Sequence, residues 1–281
     1  MPDRRQGRWC RRPAQAGDKI SPGESLMTQQ AGPATTQPGQ LLSKARLEGL
    51  LAGWQPQPGG PASSVYVRPG EAEAFLAASG LEGRDWRDRL QRIGHPVLNS
   101  DTGIAGLRAG PEALVIVPPF PLAGNDLVPA WDTSPLLGLL ETEYTVGVVL
   151  LRLGRFLVAV YQGGRLLSSK TDTRYVKGRH HAGGTSQKRF QRIREGQVQR
   201  LYGKTCGVVQ RQFEPFTAQL DYILLGGERF TLDGFMKACD YLERWRGKIL
   251  GRRLNVREPK HNTLERVAGM LRESRVWVIK W

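Results

Sequence analysis

The chain has 281 residues, 40% of them apolar, with 41 Lys and Arg against 26 Asp and Glu. That length supports two ordinary domains with their own cores, and a net charge of +15 points to a polyanionic partner, most often nucleic acid. A membrane-spanning helix is not expected, because the most apolar stretch, 114–122, is short and holds Pro118, Pro119 and Pro121; nor is a signal peptide, because the arginines near the start precede no apolar run.

In chain order, residues 1–40 are rich in Pro, Gly, Gln, Ser and Thr and read as a disordered polar arm. Met27 is a second candidate start within it. Residues 41–132 read as a small α+β domain. It has helices at 41–51, 71–79 and 85–93, and strands at 65–67 and 114–117. Its residues carry no legible chemistry. Residues 133–140 lead into a second domain, 139–281. Strands at 144–151, 155–161 and 166–173 are joined by turns at Leu153-Gly154 and Gln162-Gly163-Gly164, which makes an antiparallel meander. A glycine-containing loop, 174–185, follows. Residues 187–202 then read as a helix. Phe190, Ile193, Val198 and Leu201 form its apolar side, Thr185 or Ser186 caps its start, and Gly203 ends it. Beyond it come a strand at 220–225, a helix at 231–245, a strand at 248–256, a helix at 263–273 and a strand at 276–279. The pattern predicts an α/β (α+β) class, with a mixed sheet and packed helices in the C-terminal domain.

The positive charge is concentrated rather than spread. Residues 163–211 hold twelve basic residues against Asp172 and Glu195, and residues 244–281 hold eleven against three. The stretch between them, 212–243, is acidic and reads as a solvated face. Three scattered cysteines, Cys10, Cys206 and Cys239, fit a reducing cytoplasm and give no metal-ligand spacing. The four histidines add no ligand pattern, so neither metal nor cofactor is expected.

The densest chemical signal lies between Lys177 and Arg189. Gly183 and Gly184 allow close approach of the main chain to a bulky ligand. Lys177, Arg179, Lys188, Arg189 and Arg192 suit phosphate contacts without base reading, and Arg200 lies on the same helix. Ser186 and the amides at the helix start can hold a phosphate or a developing oxyanion. Gln187 stands beside them. His180 and His181 offer charge or stacking, or are exposed loop residues without a role.

This stretch resembles the loop of the VLRF family, the Vms-like release factors, and most of all its actinobacterial branch of peptidyl-tRNA hydrolases. That branch is similar in turn to the central domain of the eukaryotic and archaeal class-I release factors. There a Gly-Gly-Gln loop precedes a long basic helix on an RNase H-like sheet. The resemblance covers 139–281 and is most specific over 174–194. It implies that Gly183 and Gly184 match the glycine pair, Gln187 the catalytic glutamine, and Ser186 the residue before that glutamine in the Gly-Gly-Ser-Gln form. Thr185 and Ser186 separate the glycines from Gln187, where release factors have nothing between them. The implied activity is hydrolysis of peptidyl-tRNA on stalled ribosomes or large subunits, by a cytoplasmic monomer with ribosomal RNA and tRNA as partners. A glutamine amide does not titrate, so it would orient water or stabilise the oxyanion rather than act as a base.

Two other readings share part of this evidence. A nuclease on an RNase H-like sheet needs carboxylates converging on metal ions. Here Asp172, Asp221 and Asp240 are dispersed, and the first strand has no acid in its interior. A non-catalytic ribosome- or RNA-binding module shares the basic charge and differs only at the loop.

Overall fold

The computed structural model describes residues 39–176, 178 and 185–281, with the side chains of Thr185 and Ser186 left aside. The polar arm expected at 1–40 therefore lies almost wholly outside the described residues. So do Lys177 and residues 179–184.

The first half of the chain builds β1 (Gln40–Leu42), α1 (Lys44–Gly53), β2 (Ala62–Val67), α2 (Ala72–Ala78), α3 (Gly80–Ile93), α4 (His95–Leu98), β3 (Ile104–Ala109), β4 (Glu112–Val117), β5 (Asp126–Val128) and α5 (Ser134–Glu141). The second half adds β6 (Thr145–Arg152), β7 (Arg155–Gln162), β8 (Arg165–Thr173), α6 (Thr185–Phe213), β9 (Leu220–Gly227), α7 (Arg229–Ala238), α8 (Asp240–Glu243), β10 (Ile249–Leu254), α9 (Leu264–Leu271) and β11 (Ser274–Lys280).

Two sheets result. The first is antiparallel throughout, in the order β1-β11-β4-β3-β2-β5. The second runs β10-β9-β6-β7-β8, with β6, β9 and β10 parallel and the meander β6-β7-β8 antiparallel. Three meander strands with two parallel strands added beside the first is the order expected of an RNase H-like sheet. The α/β class with packed helices read from the sequence is what the chain adopts. The final strand is a correction: read as part of the second sheet, β11 pairs instead with β4 and β1 in the first. Its apolar run carries no signal of which sheet it joins.

Strands buried on both faces read as continuous apolar runs, and the second sheet explains why they must. From β6 and β7, Val146, Val148, Leu150, Leu157, Ala159 and Tyr161 face the core shared with α1, α5, α9 and the first sheet. The alternate residues Val149, Leu151, Phe156, Val158 and Val160 face α6, α7 and α8. The turn between β7 and β8 needs positive φ at two successive residues, which Gly163 (57°) and Gly164 (96°) supply.

The segment expected to be a connection is docked instead. Ser64 Oγ donates to Ala130 O at 2.8 Å, and Tyr66 Oη donates to Asp132 O at 2.6 Å. Residues 134–141 then form α5, which buries Leu136, Leu139 and Leu140 between the sheets. At the other end, half-buried Arg252 on β10 donates to the carbonyls of Met270, Leu271 and Glu273 at 2.7–3.3 Å. It thereby satisfies the C-terminal acceptors of α9. Burial pushes this guanidinium down to about 10, so it stays charged at neutral pH.

Several boundaries also move. α6 runs through Gly203, where the sequence predicted its end. A helical glycine costs about 1 kcal/mol, and burial of Val208, Val209 and Phe213 beyond it outweighs that. The helix read over 231–245 is two, broken at Cys239 (φ −118°, ψ 83°). Cys239 is bonded to Cys206 of α6 through a disulfide, with 5.4 Å between Cα atoms. Two of the three cysteines that read as scattered along the sequence are thus neighbours in the fold.

Phe213 lies directly over Gly147 of β6, where any Cβ would stand 2.6 Å from its ring. Gly147→Ala is therefore expected to lower the unfolding free energy by about 1–3 kcal/mol through overpacking, seen as a lower urea midpoint. An unchanged midpoint would show that Phe213 is not held against this strand.

Candidate functional site on the long helix

The site is set by how far α6 extends beyond the sheet that carries it. Near its middle, Lys204 Nζ meets Asp172 Oδ2 at 2.8 Å and Thr173 O at 3.4 Å, at the last residues of β8. Further along, Ser168 Oγ donates to Gln212 at 2.6 Å. α6 thus runs antiparallel to β8, and its residues before Lys204 lie past the end of that strand. From Thr185 to Lys204 this overhang measures about 28 Å at 1.5 Å per residue. Burial follows the same division. Leu201, Tyr202, Thr205, Val208, Val209 and Phe213 are buried, and residues 187–193 are all exposed.

The predicted apolar side of this helix is accordingly split. Leu201 is buried and Val198 packs partly on the helix-side core, whereas Phe190 and Ile193 are 36% and 41% exposed. Helical spacing alone cannot say where the supporting sheet stops.

At about 100° per residue, Lys188, Arg189, Arg192 and Arg200 fall within one third of the helix circumference. All four are exposed. Gln187 lies in the first turn and is exposed. By the same spacing it shares the line of Leu201 and Thr205, the side that faces the body further along. Of the other predicted residues, Ser186 lies in the first turn of α6. Gly183, Gly184, Lys177, Arg179, His180 and His181 lie outside the described residues, as does any cap before Thr185.

The first turn of α6 contains no acidic residue and is followed at once by Lys188 and Arg189. Cations at the positive end of a helix dipole are unfavourable by about 0.3–1 kcal/mol each. Nothing among the described residues offsets this: no carboxylate lies within ion-pair distance of Lys188, Arg189 or Arg192. Such an arrangement suits an incoming anion. Two of the three aspartates considered for a nuclease, Asp172 and Asp221, are occupied elsewhere. Asp172 is held below the usual carboxylate range, chiefly by the Lys204 ammonium, and Asp221 accepts from the Thr145 amide at 2.8 Å.

Residues 144–277 match the model of the Actinobacteria/chloroflexi VLRF1 release factor family. The resemblance drawn from Gly183, Gly184, Ser186 and Gln187 is in accord with that match. Among curated proteins, peptide chain release factor subunit 1 of Archaeoglobus fulgidus is 29% identical over 133 residues, 47% of this chain and 33% of its own length. The Methanosphaera stadtmanae protein of the same name is 32% identical over 103 residues, 37% of this chain and 25% of its length. The chain thus spans about a third or less of these relatives. Among solved structures it is similar to the archaeal translation termination factor aRF1, at 16% identity, 81% of this chain, 71% of the other and a TM-score of 0.34. It is also similar to the Vms1 mitochondrial localization core, at 13% identity, 72% and 87% coverage and a TM-score of 0.38.

Because Lys188, Arg189 and Arg192 have no ion-pair partner among the described residues, replacing all three with Gln should change unfolding free energy by no more than about 0.5 kcal/mol per site. Urea denaturation checks this. A large loss of stability would mean that these cations serve the fold.

Proposed function

We propose that the chain hydrolyses the ester of peptidyl-tRNA on the large ribosomal subunit, as a cytoplasmic monomer without cofactor that frees nascent chains from stalled ribosomes. The observation that carries this reading is Gln187 in the first turn of an uncovered basic helix, within residues that match a release-factor family. In this reading Lys177, Arg179, Lys188, Arg189, Arg192 and Arg200 hold ribosomal RNA or tRNA phosphates. They act as charge contacts and read no sequence. Gly183 and Gly184 let the main chain approach the tRNA terminus. Ser186 and the amides of the first turn face the ester oxygens.

Gln187 neither gains nor loses a proton. Its amide donates and accepts hydrogen bonds, so it orients a water molecule against the carbonyl carbon. Attack gives a tetrahedral oxyanion, and collapse expels the ribose oxygen of tRNA, which takes up the proton released by water. Gln187 carries no proton to give or take, so in this reading the surrounding RNA, the tRNA hydroxyl included, supplies the proton path. Activity on free esters should accordingly be weak.

Release of a labelled nascent chain from purified large subunits carrying peptidyl-tRNA tests this. Wild type should release peptide. Gln187→Ala should bind the subunits as well as wild type and lose release by about 100-fold or more, the scale of removing one positioned transition-state donor. If both proteins bind and neither releases peptide, the chain is an RNA-binding module.

A further inference from the structure

The end of the second sheet from which the loop and α6 depart carries a second basic surface, apart from the helix. At the tip of the β6-β7 hairpin, Arg152 is paired with Arg155, and Arg155 in turn with Thr173 of β8. The chain leaving β8 stays fixed to this tip, since Arg174 N donates to Gly154 O at 2.9 Å. On the other side, Arg152 reaches across to Val256 O at 3.3–3.4 Å, which brings the segment after β10 against the same hairpin. Three neighbouring strips therefore meet: 173–175, 152–155 and 256–260.

Their charge is unbalanced. The carboxylates here are both taken up by lysines: Glu258 is ion-paired with Lys260, and Asp172, beside Thr173, with Lys204. The pKa of Glu258 lies below the usual range, chiefly through Lys260 and to a smaller degree through Arg155. Arg174 and Arg257 are exposed and have no carboxylate within ion-pair distance among the described residues. Beside them stands Tyr175, 74% exposed, while its neighbour Val176 packs on the helix-side core. An exposed aromatic ring next to Arg174 in sequence, with Arg155 and Arg257 on the adjoining strips, is the composition of a single-strand stacking platform. A solubility surface has no use for the bare ring.

We infer that this sheet end binds a segment of single-stranded RNA, one base stacking on Tyr175 and its neighbouring phosphates held by Arg155, Arg174 and Arg257. The inference deepens the hydrolase reading, on which it rests for the identity of that RNA: the unpaired end of the tRNA. The platform lies at the sheet end, and Gln187 lies on the body-facing side of α6 about 25 Å further out. Several extended nucleotides anchored on Tyr175 would lead along the helix toward Gln187.

The test uses the full chain and a fluorescein-labelled oligocytidine of about six nucleotides, within the site size of such platforms, followed by anisotropy. Tyr175→Ala is expected to weaken binding at least fivefold, and Tyr175→Phe to stay within twofold of wild type. The triple variant Arg155→Gln, Arg174→Gln, Arg257→Gln should lower the slope of log affinity against log salt by about 2, at roughly 0.7 per phosphate contact. Unchanged urea midpoints confirm that the variants fold. The inference is overturned if wild type does not bind the oligonucleotide, if Tyr175→Ala binds like wild type, or if Tyr175→Phe loses binding as fully as the alanine variant. Peptide release measured in parallel separates the two readings. Release without oligonucleotide binding removes the platform and leaves the hydrolase. Tyr175-dependent binding without release leaves the platform and removes the hydrolase.

Discussion

The packing of the C-terminal half of α6 on the second sheet is the constraint on which the rest depends. Leu201, Val208, Val209 and Phe213 are buried there, and Phe213 fills the space that Gly147 leaves on the central strand β6. A helix of 29 residues, about 43 Å long, is held over one half only. Rigidity at the anchored end is what makes the other end usable. An isolated basic helix of this kind would be marginal in water, whereas one propagated from a packed segment extends at the cost of one residue per hydrogen bond. The disulfide from Cys206 to Cys239 and the ring contact of Tyr202 with Phe235 fix α6 to α7 near the point where support ends.

Electrostatics then divides the basic residues by purpose. The chain's excess charge is not uniform in meaning. Arg252 and Arg272 are spent on backbone carbonyls: Arg252 on the end of α9, and Arg272 on Gly163 and Leu140. Arg244, Arg246 and Lys260 are paired with Glu214, Glu243 and Glu258. Part of the C-terminal cluster therefore serves the fold, whereas Lys188, Arg189 and Arg192 on α6 and Arg174 and Arg257 at the hairpin tip have no carboxylate within ion-pair distance among the described residues. Charge density along the sequence located two segments. Only the pairing within the fold separates structural cations from those left for a polyanion.

The second sheet was legible because its central strands β6, β7 and β9 are largely buried apolar runs and its meander is bounded by glycine turns, so run length and punctuation sufficed. The residues of the long helix were legible from period and charge, and its length was not. Gly203 reads as a stop when local propensity is the only guide, and the buried residues beyond it are what carry the helix on. β3 and β5 escaped notice for the opposite reason. Ile104–Ala109 and Asp126–Val128 are short and mixed in composition, and they become strands by pairing with β2. The hairpin-tip surface could not be read at all, since Arg155, Arg174 and Arg257 lie far apart in sequence and are joined only by strand pairing.

The return of β11 to the first sheet bears on the overhanging half of α6 as well. Because β11 pairs with β4 over six residues, the last residues of the chain complete a sheet begun before the release-factor stretch. Trp281 continues that closure. Its amide donates to Pro111 O at 2.7 Å, its ring meets Trp86 edge-on, and Arg89 and Arg108 lie 4.0 and 4.5 Å from its ring centroid. A single apolar core then links both sheets through α1, α5 and α9. Such a core transmits displacement rather than absorbing it, since packed interiors have low compressibility. The first sheet therefore acts as ballast for the second: it fixes the face opposite α6, so that β6, packed between Phe213 on one side and the shared core on the other, holds the base of the overhanging helix.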